Sequence, residues 1–204
     1  MQVLEPFSKA DEAAVHAQLG RVPRGVVGVA YRCPCEKPVV LATEPRLPDG
    51  TPFPTTYYLT CPRATAAISR LESDGRMAEM TERLDDDPDL VRAYRTAHEA
   101  YLADRKSFGD GPSAEVPEID GISAGGMPTR VKCLHALAAH ALAVGPGVNP
   151  FGDEAVAEIG EFWRPPCLSE QDQQDIPGQD QRGLPGQDQQ VRADDDHGRS
   201  EGVR

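Results

Sequence analysis

The chain has 204 residues, 39% of them hydrophobic, five cysteines and a formal net charge of −12. That charge excludes broad attraction to nucleic acid or to an anionic membrane, because phosphate affinity rests on a basic surface. No apolar run reaches the roughly 18 residues of a membrane span, and MQVLEPFSKADEAAVHAQ lacks the basic-then-apolar pattern of a leader, so a cytoplasmic protein with reduced thiols is expected.

Ser8 with Asp11 three positions on reads as an N-cap, and Ala10 to Leu19 then runs helically to a stop at Gly20. The β-branched stretch from Arg24 to Arg32 and the run Val39 to Thr43 predict two strands, joined by the turn Cys33-Pro34-Cys35-Glu36-Lys37-Pro38. PRLPDGTPFPTT, residues 45–56, is too dense in proline and glycine for regular structure. A third strand, Tyr57 to Thr60, delivers Cys61, and Pro62 opens a helix through Leu71. A short helix is expected from Arg76 to Leu84. A longer one begins at the Asp87-Pro88 cap and runs to Phe108, with Tyr94, His98, Tyr101 and Arg105 along one face. Residues 109–127 form a long loop of the kind that is commonly functional.

The stretch GISAGGMPTRVKCLHALAAHALAVG, residues 121–145, concentrates the chemistry. Pro128 is suited to a first helical position, so a central helix is expected to start there, with Thr129, Arg130, Lys132, Cys133 and His135 in its first turns. A last helix is expected from Asp153 to Phe162. From Ser169 onward PGQDQ is written twice and large apolar residues are scarce, too few to offset the entropy of ordering. The expectation is therefore one α+β domain over residues 1–168, a small antiparallel sheet packed against several helices, followed by a disordered acidic tail over 169–204.

Two groups of residues point to a site. An odd number of cysteines without a leader suits metal ligands better than a disulfide framework. Cys33 and Cys35 in a tight turn, Cys61 at a strand end, and Cys133 or His135 offer thiolate and imidazole to zinc or, alternatively, thiolates to an iron–sulfur cluster. Cys133 and His140 are too far apart along a helix to share one ion, which sets His140 aside. The second group is Gly125, Gly126, Arg130 and Lys132, where a glycine turn, helix N–H groups and two cations would take a small anionic ligand such as a phosphate or carboxylate. The competing reading is a glycine turn capping a helix beside solvated cations.

The strings RVPRGVVGVAYRCPC, PRLPDGTPFPTTYYLTCP, SAGGMPTRVKCLHALAAH and GPGVNPFGD together resemble domain-of-unknown-function family 501, met mainly in actinobacteria. The resemblance covers Arg21 to Cys167 and implies no activity. The function expected from the residues is a cysteine-ligated metal-binding module of a binding or regulatory kind. An enzyme acting on a phosphorylated or carboxylated small molecule at Gly125–Lys132, and a redox-active thiol protein, are the alternatives.

Overall fold

The computed structural model describes residues 3–109 and 115–164, so the expected tail lies outside the described residues. The order of elements is α1 (Lys9–Leu19), β1 (Val26–Arg32), β2 (Pro38–Thr43), β3 (Tyr57–Leu59), α2 (Pro62–Ser73), α3 (Arg76–Asp86), α4 (Pro88–Phe108), α5 (Leu134–Val144) and α6 (Pro150–Ile159). The strands form an antiparallel sheet in the order β1-β2-β3. This is the expected α+β arrangement.

Every residue of the central strand β2 is buried, because the sheet is covered on both faces. On one face Val15 of α1 packs with Val29 and Leu41. On the other, Val40, Ala42, Tyr57 and Leu59 join the main core with the apolar residues of α2, α4, α5 and α6. The end of α1 is fixed by a reciprocal cap, Ser8 N donating to Asp11 Oδ2 at 2.9 Å and Asp11 N to Ser8 Oγ at 3.2 Å. The same carboxylate, only 6% exposed, receives Arg32 of β1 at 2.6 and 3.0 Å. That guanidinium holds the Asp11 carboxyl well below the usual carboxylate range, which locks α1 across the sheet.

Helix α5, LHALAAHALAV, is apolar nearly all round and therefore buried in the middle of the molecule. Its one polar interior residue, His140, is 0% exposed. The ring stacks on Tyr57 at 5.6 Å and meets the edge of Tyr101 at 5.2 Å. Asn149 Nδ2 donates to His140 Nδ1 at 3.1 Å. Burial lowers the imidazole to about 4, against an ordinary value near 6.5. Because the folded value is depressed, the stability tied to neutral His140 is whole above about pH 6.5 and is lost as pH falls toward 4. Urea midpoints measured from pH 7 to 4 are expected to fall more steeply for the wild-type chain than for His140→Leu, which starts lower at pH 7; parallel profiles would contradict this.

Two expectations need correction. The central helix starts at Leu134, not at Pro128. The backbone donors that a helix from Pro128 would use are committed elsewhere: Lys132 N to Gly125 O at 2.7 Å, Arg130 N to Gly126 O at 3.2 Å, and Val131 N to Thr81 Oγ1 at 2.9 Å. The last helix likewise runs over Pro150–Ile159 rather than Asp153 to Phe162.

The face of α4 singled out in the sequence is a row of fasteners for this segment. Tyr94 Oη donates to Arg130 O at 3.1 Å, His98 Nδ1 lies 2.9 Å from Ser123 Oγ, and Arg105 donates to the carbonyls of Ile119 and Ile122. Tyr101 instead serves the strand side, accepting from Thr56 N at 2.6 Å and donating to Pro54 O at 3.1 Å. Residues 116–133 are thus held in place on the way to α5. No helix among the described residues is long and apolar enough to cross a membrane.

Candidate metal centre

The start of α5 meets the last turns of α2, and three ligand-bearing side chains converge there. Glu72, Cys133 and His135 bring one carboxylate oxygen, one sulfur and one ring nitrogen within 4.8 Å of one another. Cys133 is the residue before the helix, with extended backbone at φ −154° and ψ 112°. That conformation takes it out of the helical progression, so its Sγ faces His135 Nδ1 at 3.9 Å although the two residues are only two apart.

Glu72 comes from the far end of α2. Its Oε1 accepts the Leu134 N–H at 2.7 Å and lies 3.1 Å from His135 Nδ1. The carboxylate therefore caps α5 from a neighbouring helix, at the end where free N–H groups and the helix dipole favour negative charge. The other ring nitrogen, His135 Nε2, is 3.2 Å from the Thr65 carbonyl and 3.2 Å from Ser69 Oγ. Thr65, Ser69 and Glu72 fall at i, i+4 and i+7, one stripe of α2 that faces α5. The side chains of His135 and Glu72 keep 25% and 22% of their exposure, so the group is open to solvent on one side.

These neighbours push the imidazole up to about 9, the Cys133 sulfur contributing most and the Glu72 charge adding, against partial burial. Without a metal ion His135 is thus an imidazolium at neutral pH, with Nδ1–H facing two acceptors at once. A catalytic triad would set the base and the orienting carboxylate on opposite ring nitrogens. Here sulfur and carboxylate share Nδ1, while Nε2 is anchored to a backbone carbonyl, the outer contact that orients a metal-bound histidine.

The structure divides the five ligands expected from the sequence. Cys133 and His135 come together, and the partner they acquire is Glu72. Cys33, Cys35 and Cys61 are elsewhere: Cys61 precedes the first turn of α2 and Glu72 sits in its last, about 16 Å apart along the axis at 1.5 Å per residue. Among the described residues the group of three or more converging ligands is Glu72, Cys133 and His135, and it includes none of Cys33, Cys35 and Cys61. None of these four cysteines is in a disulfide.

The glycine turn is also placed differently. Gly125 O receives Lys132 N and, at 3.4 Å, Cys133 N. A Cβ at Gly125 would lie 2.6 Å from Leu137 Cδ2, and one at Gly126 2.9 Å from Lys132 Cβ. Gly125 and Gly126 thus fold the chain closely onto α5, and the anion at the helix start is the protein's own Glu72. Arg130 and Lys132 are exposed and precede the helix rather than forming its first turn.

Residues 29–157 match the family described as "Protein of unknown function (DUF501)". The chain belongs to that family. The match spans more than half of the chain and contains β2, β3, α2 to α5 and the whole Glu72–Cys133–His135 group. No curated protein and no solved structure is significantly similar to the chain.

Proposed function

We propose that this DUF501 protein is a metal-binding module that holds a zinc-class cation between α2 and α5 through Glu72, Cys133 and His135, with a further coordination position facing solvent. The observation that carries the reading is the convergence of sulfur, carboxylate and Nδ1 on one point while Nε2 rests on the Thr65 carbonyl. A nitrogen, oxygen and sulfur donor set suits zinc, and three protein ligands with an open position is the pattern of exchangeable rather than closed sites. An iron–sulfur cluster calls for several thiolates, and this group has one. The exposed Lys132 beside Cys133 favours a small anion, phosphate or carboxylate, as the ligand that completes the shell. The acidic net charge supports a role away from nucleic acid and anionic membrane.

Zinc titration of chelator-stripped protein tests this. Cys133→Ser and His135→Ala are expected to weaken binding by more than the roughly 10- to 100-fold that losing an outer partner costs. Glu72→Gln keeps an acceptor for the Leu134 N–H, so it is expected to lose zinc while keeping the fold. Because the His135 proton must leave for Nδ1 to bind metal, affinity rises with pH until about pH 9, where the free imidazole is itself half deprotonated. Unchanged affinity in all three variants would overturn the reading.

A further inference from the structure

Cys133 supplies the one sulfur of the metal centre, and the start of α5 does not depend on it. It stands at the N-cap position, yet its side chain makes no capping hydrogen bond. Its backbone is held independently, its own N–H donating to Gly125 O at 3.4 Å and that of Lys132 to the same carbonyl at 2.7 Å. The helix is capped instead by Glu72, whose Oε1 accepts the Leu134 N–H at 2.7 Å. The His135 ring is likewise anchored on its far side, Nε2 lying 3.2 Å from both the Thr65 carbonyl and Ser69 Oγ. A chemical change at the sulfur therefore leaves the other two ligands and the helix start in place.

Two further features decide what can happen at that sulfur. Cys133 is half-buried, and the Glu72 and His135 side chains beside it face solvent on one side, so a small solute can reach the group. Among the described residues the group holds no second thiol, so an oxidised Cys133 has no partner there with which to close a disulfide. A cysteine that holds zinc is a thiolate, which is also the form that attacks peroxides.

We propose that the centre is redox-gated: a hydroperoxide oxidises Cys133 to a sulfenic acid, and the cation leaves. This inference rests on the zinc-class centre proposed above. The thiolate attacks one peroxide oxygen, the S–O bond forms as the O–O bond breaks, and the other oxygen departs as hydroxide or alkoxide and takes a proton from solvent. Sulfur is oxidised by two electrons and the peroxide is reduced by two. The sulfenic acid is uncharged and a poor donor to zinc, which leaves only Glu72 and His135 where an exchangeable site uses three protein ligands. Glu72 Oε1 and His135 Nδ1 lie 3.1 Å apart, so these two satisfy each other once the cation has gone. A small thiol reverses the step, two thiols leaving as one disulfide and the sulfenic oxygen as water.

The test uses the full chain loaded with zinc, freed of excess and treated with limiting hydrogen peroxide. Released zinc is read with a chromogenic chelator, and sulfenic acids are trapped with dimedone and assigned by peptide mass spectrometry. Zinc release is expected to track the dimedone adduct on Cys133 mole for mole while the far-ultraviolet circular dichroism stays unchanged. Dithiothreitol in place of dimedone is expected to restore both thiol and zinc. Zinc released with Cys133 unmodified, Cys133 modified with zinc still bound, or both untouched by excess peroxide overturns the gating. Where zinc binding is lost in Glu72→Gln and His135→Ala, those outcomes leave the proposed function standing. A chain that takes up no zinc, or binds it equally well in these two variants, overturns the proposed function, and the gating falls with it.

Discussion

Gly152→Ala is expected to cost the folded state more than 3 kcal/mol, beyond the usual 1–3 kcal/mol of an overpacked core. Gly152 is the third residue of α6, where this helix presses against α5. A Cβ there would lie 2.3 Å from the Leu137 carbonyl oxygen, 2.9 Å from Leu137 C and 2.8 Å from Ala141 Cβ. The obstruction is the backbone of a buried helix, not the end of a side chain that could swing away. At an open helical position the same change stabilises by about 0.5–1 kcal/mol through lost backbone freedom, so even the sign is diagnostic. Urea unfolding of the variant should show a large drop in midpoint, with zinc binding lost as well because Leu137 lies one turn from the site. A stability equal to wild type would contradict the packing described here.

Asn149→Ala is expected to cost on the order of 3 kcal/mol, from two separate losses. Asn149 Oδ1 accepts the Gly152 N–H at 3.0 Å and so caps α6, a contribution of about 1 kcal/mol. Its Nδ2 is the donor to His140 Nδ1 at 3.1 Å in a site with no exposure to water. Removing it strands a buried acceptor, at about 1–3 kcal/mol. His140 Nε2 already has no partner among the described residues, so the ring cannot compensate by turning over. Asn149→Asp separates the two terms. It keeps the cap but donates nothing, so the imidazole must carry its proton on Nδ1 and the adjacent carboxylate raises its pKa. Nuclear magnetic resonance titration of His140 is expected to show a clear upward shift in Asn149→Asp; an unmoved value would mean that Asn149 does not face the ring.

Most of the architecture was legible in the residues because it rests on local signals. The Ser8–Asp11 cap, the Cys33–Pro38 turn and the Asp87-Pro88 helix start each act within a few positions, and each forms where expected. The two misplaced helix starts have one cause. Proline suits a first helical position at Pro128 and at Pro150 alike, but only Pro150 has a capping partner before it, Asn149. Before Pro128 stands Met127, and the donors that follow go to Gly125, Gly126 and Thr81.

The site was half legible for a similar reason. Cys133 and His135 stood out by type, but Glu72 lies 61 residues upstream in a helix of ordinary polar pattern. Nothing in its spacing relates it to them. Its role is created when α2 packs on α5, and the only sequence hint is the polar stripe Thr65, Ser69 and Glu72. Spacing equally could not tell which cysteines would join Cys133: the ligands that converge on it among the described residues are Glu72 and His135, and Cys61 stands at the opposite end of α2 from Glu72.

The measurement that bears most directly on the metal centre is the protonation of the His135 ring, followed by nitrogen-detected magnetic resonance while zinc is added at pH 7. The metal-free chain should show both ring nitrogens protonated, as the raised pKa of about 9 requires. Zinc at one equivalent per site should convert Nδ1 to a metal-bound nitrogen while Nε2 keeps its proton toward the Thr65 carbonyl. An imidazolium that stays doubly protonated in saturating zinc would contradict the centre.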